Sequence, residues 1–306
     1  MKISLSLFML FVSLSCFAQK RMLLLNLKQD STYYMATDAN LSMIEKINGV
    51  QHLVSTLISG KLSHKVVSIK DSVYQMEVQY LRINMHMEVE GKKIDFDSSD
   101  KVSQNMVSKI ASKMVNRPFL MTIDKRGKVL EIKNMENVYA EIFADFPQIT
   151  ASQKAQIKAQ LEKTFGEEAI KSSFQNVFTV YPDKEIGLND QWVAKTKFQT
   201  TILANIITTY TLKGITDKIY KIHGDAVIQA DGNGAFITRN NIPIRFINVN
   251  GTSTTDVQID LTTGWIKESK MSTAINGIME AKDSPATPGG LTFPVSVVVD
   301  MEMSDK

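Results

Sequence analysis

"KDSVYQMEVQYLRINMHMEVEGKKIDF", residues 70 to 96, decides the fold class, because apolar and polar residues alternate along it at the two-residue period of a strand. Leu81, Ile83, Met85, Met87 and Val89 share one face, and Arg82, Asn84, His86, Glu88 and Glu90 share the other. Upstream the apolar set is Met76, Val78 and Tyr80, so the parity inverts at Tyr80–Leu81. A β-bulge or a sharp bend at that point lets both halves keep one face inward. A strand of this length with a single apolar face belongs to a strongly curved antiparallel sheet.

The flanking sequence extends the pattern. "LLNLKQDSTYYMATDANLSMIEKI", from Leu24, runs into Asn48–Gly49, a pair suited to the positive φ angles of a tight hairpin, and "QHLVSTLISGKLSHKVVSI" reads as the return strand. Beyond residue 96, "SSDKVSQNMVSKIASKMVNRP" predicts an amphipathic helix, capped by Ser99, with Val102, Met106, Ile110 and Met114 every four residues and Pro118 helping to stop it. Residues 135–178 read as a helical segment. Thr150 to Gln153 is a capping box, Ile157, Leu161 and Phe165 form a stripe, Gly166 closes the helix, and Ile170, Phe174 and Phe178 mark another. From Val180 strands return, with turn signals at Asp231–Gly232–Asn233–Gly234, Asn250–Gly251 and Pro288–Gly289–Gly290.

Three short stretches occur twice in the same order. "IKDSVY" (69–74) pairs with "ITDKIY" (215–220), "IDKRG" (123–127) with "IDLTTG" (259–264), and the Asp turn before Tyr33 with Asp190 before Trp192. The second spacing is shorter, since 123 − 69 = 54 whereas 259 − 215 = 44, and the helix at 99–116 accounts for the surplus. Two readings stand side by side: a duplicated β scaffold, or hairpin grammar that happens to recur. The first predicts an α+β, β-dominated fold. One large curved antiparallel sheet would be built from half-units near 22–134 and 180–304, with the amphipathic helices packed on one face.

"MKISLSLFMLFVSLSCFAQK" has a lone Lys2, an apolar run and small residues before Gln19, which is the form of a secretory signal cut after Ala18. A lipid-bearing Cys16 is the alternative, disfavoured because Ser13 stands where a lipobox carries Leu or Val. Cys16 is the only cysteine, so the cleaved chain of 306 − 18 = 288 residues would have no disulfide, thiol nucleophile or cysteine-ligated zinc. No later stretch approaches roughly 20 apolar residues, so no transmembrane helix is expected. With Lys2 removed the balance is 34 basic to 32 acidic residues, dispersed along the chain, and nothing marks nucleic acid as a partner.

Catalytic signatures are missing. There is no G-x-S-x-G elbow and no phosphate loop, and His52, His64, His86 and His223 lack metal-ligand spacing. Asp124 and Asp260 each precede a Gly turn, where an Asp side chain bonds its own backbone. The expectation is a non-enzymatic protein without cofactor or metal. Sixteen methionines are the softer clue, because flexible thioethers fill irregular space and tolerate varied apolar ligands. Leu81, Ile83, Met85, Met87, Met106, Ile110 and Met114 form the candidate apolar groove, either lining a site for a lipid or acyl chain or filling dry core. The segment around Tyr139, Phe143 and Phe146 is the candidate surface for a protein partner of the cell envelope.

With "NLKQDSTYY" (26–34), "IDKRGKVLEI" (123–132), "VYPDKEIGLNDQW" (180–192) and "VQIDLTTGWIKES" (257–269), nearly the whole chain resembles a family of bacterial envelope proteins, the domain of unknown function six-two-six-three. That family shows a K-x-G-D-x-(Y/W) opening strand and a late I-D-x-x-T-G hairpin; Gln29 and Asn189 stand here where the pattern has Gly. The resemblance implies an exported protein, periplasmic or otherwise envelope-associated, and carries over no catalytic residue. More distantly, the plan is similar to that of periplasmic lipoprotein carriers.

Overall fold

A computed structural model describes residues 20–100, 105–199, 203–230, 234, 236–239, 242–285 and 287–306. The signal segment, Cys16, Val102 and most of the Asp231–Gly234 turn lie outside these residues. The alternating stretch is β3 (Val73–Val89), and its parity inversion is a bulge: Lys61 pairs with Arg82 and Leu62 with Tyr80, leaving Leu81 as the extra residue. The strand before it, β2 (Val50–Lys70), folds back on β1 (Thr32–Ile47) through Asn48 and Gly49, both at positive φ (51° and 83°). The outer edge of β3 is shared by β4 (Lys92–Asp97), over Asn84–Val89, and β5 (Phe119–Asp124), over Val73–Val78.

Helix α1 (Met106–Met114) lies between those two strands in sequence and is capped by Asn105, whose side chain accepts from the Val107 amide. Ser99 is therefore not the cap. It instead binds Asp97 in the preceding turn, through both its amide (2.8 Å) and its hydroxyl (2.7 Å). After β6 (Val129–Lys133) come a 3-10 turn (Met135–Tyr139), α2 (Ala151–Phe165) and α3 (Glu167–Phe178). The Thr150–Gln153 capping box is complete, and the Gly166 amide closes α2 on the Glu162 carbonyl.

The remaining strands are β7 (Gln191–Gln199), β8 (Leu203–Ile215), β9 (Ile219–Ala230), β10 (Ile237–Arg239), β11 (Ile242–Asp260), β12 (Ile266–Ala281) and β13 (Leu291–Ser304). Asn250–Gly251 is not a turn. It lies inside β11, beside a register break between Ile247 and Asn250 where Asn248 takes φ 54°, and tight packing rather than reversal explains the glycine: a Cβ on Gly251 would sit 2.4 Å from the Ala274 carbonyl.

All pairings are antiparallel, and the strands form one open sheet in the order β6-β5-β3-β2-β1-β13-β12-β11-β9-β8-β7, with β4 on β3 and β10 on β11. On either side of β13 the same strand order is repeated. The register repeats too: Ile69 faces Tyr74 as Ile215 faces Tyr220, and Tyr74 faces Ile123 as Tyr220 faces Ile259. Even the bulges recur. Val67 and Lys213 are the extra residues on β2 and β8, and Leu130 and Lys267 those on β6 and β12. Hairpin grammar alone would not copy interior bulges and strand order together.

The segment before β1 explains why the hairpin is spelled twice. Leu23, Leu25 and Leu27 are buried, the Leu25 amide donates to the Lys125 carbonyl (2.7 Å), and the Asn26 amide donates to the Thr263 carbonyl (2.8 Å). Both repeated turns are thus laced to one extended strap. The main core gathers there, between strap, sheet, α1 and α3, and a second cluster around Ile228, Phe246, Ile275 and Phe293 lies between strands of the C-terminal half.

Candidate functional site

Helix α3 sits at the seam between the two sheet edges. Its Phe178 lies against Gly127 in the β5–β6 turn, and its neighbours across a shared cleft include Lys195 to Lys197 of β7. Beneath α3 is a cavity of about 450 Å³. Its walls come from both arms of the curved sheet: Met35, Leu62, Val78, Tyr80 and Met121 from the first half, and Ile206, Ala226, Ile228, Val257, Met271 and Met303 from the second. Ile170, Phe174 and Val177 of α3 form the roof, at the i, i+4, i+7 spacing of one helix face. Threonine and serine hydroxyls, among them Thr37, Thr208, Ser253 and Thr273, together with His64 and Asn176, punctuate a mostly apolar lining that among the described residues holds no Asp, Glu, Lys or Arg.

The model of a family described as "Family of unknown function (DUF6263)" matches residues 71–266. The chain belongs to this family. No curated protein matches the sequence. Among solved structures, this DUF6263 chain is similar to the subject of "Lipid-protein interactions in lipovitellin", at 7% identity and TM-score 0.45, over 92% of this chain and 25% of that one. It therefore spans about a quarter of the lipovitellin chain. It is also similar to an outer membrane channel from Pseudomonas putida F1 (6% identity, TM-score 0.24, 91% and 97% covered) and to the outer membrane protein OprG from Pseudomonas aeruginosa (7%, 0.22, 91% and 98%).

The seven apolar residues singled out from the DUF6263 sequence are divided by the fold. Ile83, Ile110 and Met114 meet in the main core, each almost fully buried. Leu81, at the bulge, and Met85 and Met87, facing Phe96 and Ile94 of β4, are half-buried, while Met106 is exposed. None of the seven lines the cavity, because α1 packs over β3, β4 and the 3-10 turn rather than inside the concavity. The cavity residues missed from the sequence carry one legible signal, the Ile170–Phe174 stripe of α3. The aromatic segment is also interior, with Tyr139 and Phe146 in the core and Phe143 packed against it.

The histidines separate sharply. His52 bonds Glu90 (2.6 Å), His86 bonds Asp95, and His223 bonds Asp256 (2.8 Å), whose hydrogen bond raises its pKa. His64 is buried on β2 at the cavity wall, its ring 5.3 Å from that of Trp265 and 5.6 Å from that of Phe174. Burial pushes its pKa down to about 4, opposed in part by a backbone hydrogen bond at Tyr33, so the imidazole is neutral. Its Nδ1 and the Tyr80 hydroxyl, also on the wall, are enclosed without a hydrogen-bond partner. Burial, with Tyr139 nearby, holds the Tyr80 phenol well above its usual range. Among the described residues, no group of three or more His, Cys, Asp and Glu could hold a metal ion, and no helix is long and apolar enough to cross a membrane.

Asp124 and Asp260 prove to be turn residues. Asp124 accepts from the Arg126 and Lys128 amides (2.8 and 3.0 Å), and Asp260 from the Thr262 and Thr263 amides (3.0 and 2.8 Å) and the Thr263 hydroxyl (2.9 Å). Partial burial pushes Asp260 upward, but the bonds from Thr263 and Thr262 outweigh it and leave its pKa below the ordinary value. Neither carboxylate is on the cavity wall. Asn189 takes φ 67°, a left-handed conformation that accounts for Gly at this place in the family pattern; in the first half Asp30 (φ 63°), next to Gln29, takes it instead.

Proposed function

We propose that this DUF6263 protein is an exported envelope protein that binds an apolar ligand, a lipid or acyl chain, beneath α3 without catalysing a reaction on it. The cavity carries the reading. Protein interiors seldom hold voids much larger than a water molecule, whereas ligand sites run from roughly 300 to 1,000 Å³ with mostly apolar walls. An opening of about 450 Å³ bounded by methionine, isoleucine and aromatic side chains falls in the second class. The signal expected at residues 1–18 would deliver the chain to a compartment rich in such ligands.

Native mass spectrometry of the mature protein purified from its own envelope, followed by solvent extraction, tests this. A discrete lipid-sized adduct released by solvent is the expected result. A bare polypeptide that also takes up no fluorescent fatty acid sinks the reading. Ala226→Trp, which places an indole in the cavity from β9, should abolish uptake while the far-ultraviolet circular dichroism is retained.

A second reading, a protein-interaction module, draws on a different surface. At the β1–β2 end Ile44, Val50, Leu53 and Leu57 are exposed, with Val50 at 59% and Leu53 at 55%. A stoichiometric envelope protein captured without bound lipid, and released by Leu53→Asp, would favour this reading over the first.

A further inference from the structure

A second opening, a cleft of about 470 Å³, lies where the β5–β6 turn, α3 and β7 meet. Arg126, Lys128, Lys171, Lys195 and Lys197 line it, against a single acid, Glu168. Arg126 donates to the Asp183 carbonyl (3.4 Å), and the ion pairs formed among the described residues leave Lys128, Lys171 and Lys195 uncompensated. Elsewhere the signs are interspersed, so five cations against one acid, three of the five uncompensated, are a local departure in an almost neutral chain. Mutual repulsion disfavours such a cluster unless an anion enters it.

The cleft adjoins the apolar cavity, since Asn176, Thr179 and Thr196 line both. Helix α3 divides the two chemistries along its own faces: Lys171 and Gln175 border the cleft, and Ile170, Phe174 and Val177 border the cavity. A charged group could not follow a chain inward, because the cavity wall offers it no counter-charge. A site with an apolar interior and a cationic mouth matches one molecular shape.

We propose that the ligand is an anionic amphiphile whose chain lies beneath α3 and whose phosphate or carboxylate head rests in the cleft, held by Lys171 and Lys195 with Arg126 and Lys128 beside them. This rests on the cavity reading above. Ammonium and guanidinium groups give the head charge-assisted hydrogen bonds at a solvent-facing position, where they also raise the rate of capture.

The full mature chain is titrated with dodecyl phosphate, with dodecanol and with inorganic phosphate, following the fluorescence of its two tryptophans, of which Trp265 contacts the cavity residues His64 and Phe174. Dodecyl phosphate should bind about tenfold tighter than dodecanol, by an amount that shrinks as salt is added. The Lys171→Glu, Lys195→Glu double variant should lose that preference and keep its affinity for dodecanol. If the double variant does not fold, Lys195→Gln on the exposed edge strand should show the same trend with smaller amplitude. Equal affinities of the native protein for the two chains, an unchanged preference in the variants, or inorganic phosphate binding as tightly as dodecyl phosphate would each overturn the inference and leave the cavity reading standing. Binding of neither chain would remove both.

Discussion

The turns closed by Gly127 and Gly264 occupy equivalent places in the two half-units, with the same Asp on the inner side, yet they rest on different neighbours. Gly127 (φ 74°) faces the Phe178 side chain of α3, and Gly264 (φ 68°) faces the strap backbone at Leu24. A second equivalence runs along β2 and β8. Tyr33 pairs with His64 as Trp192 pairs with Tyr210, and both His64 and Tyr210 line the cavity. Tyr210 has Thr179, the C-cap of α3, within 3.5 Å, while Nδ1 of His64 has no partner. The repeated frame is therefore symmetric, and the parts that are not repeated, strap and α3, made its two arms chemically unequal.

The largest effect should come from testing the glycines against each other. A Cβ at Gly264 would lie 2.1 Å from the Leu24 carbonyl oxygen, so Gly264→Ala forces backbone apart in addition to the left-handed strain and should cost about 4 kcal/mol. At Gly127 the obstruction, at 2.5 Å, is the buried Phe178 side chain down to its Cβ (2.6 Å), so α3 rather than the strap must give way, and Gly127→Ala should cost about 3 kcal/mol. Urea titrations of both variants check the ranking; equal losses would mean that the strap contributes no more than α3 does.

Next is the acid-range pH dependence that His64 imposes and Tyr210, whose burial raises its pKa, does not. Folded His64 protonates near pH 4, whereas its unfolded pKa is the ordinary 6.5, so the unfolded chain binds the extra proton between these values. Stability is then fully present above pH 6.5 and falls as pH drops toward 4, by about 3 kcal/mol. His64→Phe keeps the ring contacts with Phe174 and Trp265 and should flatten the melting temperature across that window. A wild-type profile as flat as that of the variant would show that His64 is not held neutral.

The smallest effect separates the two aspartates. Asp260 accepts one bond more than Asp124, so Asp260→Ala should cost about 2 kcal/mol and Asp124→Ala about 1 kcal/mol in thermal unfolding. Neither should alter ligand uptake, because neither lines the cavity.

Much of the frame was legible in the residues. The parity inversion at Leu81, the Asn48–Gly49 hairpin, the Thr150 capping box and the turn roles of Asp124 and Asp260 are all local events, decided by groups within a few residues of one another. Asn250–Gly251 misled because the dipeptide that closes a hairpin also suits a place beside a bulge where the neighbouring strand β12 comes close to the glycine. Ser99 misled because Asn105, six residues on, offers the same chemistry at the helix start. The site was the least legible part. Periodicity identified Ile83, Ile110 and Met114 as inward residues, but could not tell which element would cover them.

By itself the sequence determined a β-dominated chain with a repeated frame, its helices and most of its turns, since side-chain alternation, capping and left-handed turn residues act over short distances. Only the tertiary structure decided which apolar faces are filled and which enclose a cavity, that His64 rather than another histidine is buried on its wall, and that scattered lysines from α3, β7 and a hairpin turn converge in the cleft beside it. Those depend on how far a long sheet curls before its edges meet a helix, a sum over many bulges and strand twists that no single stretch of residues encodes.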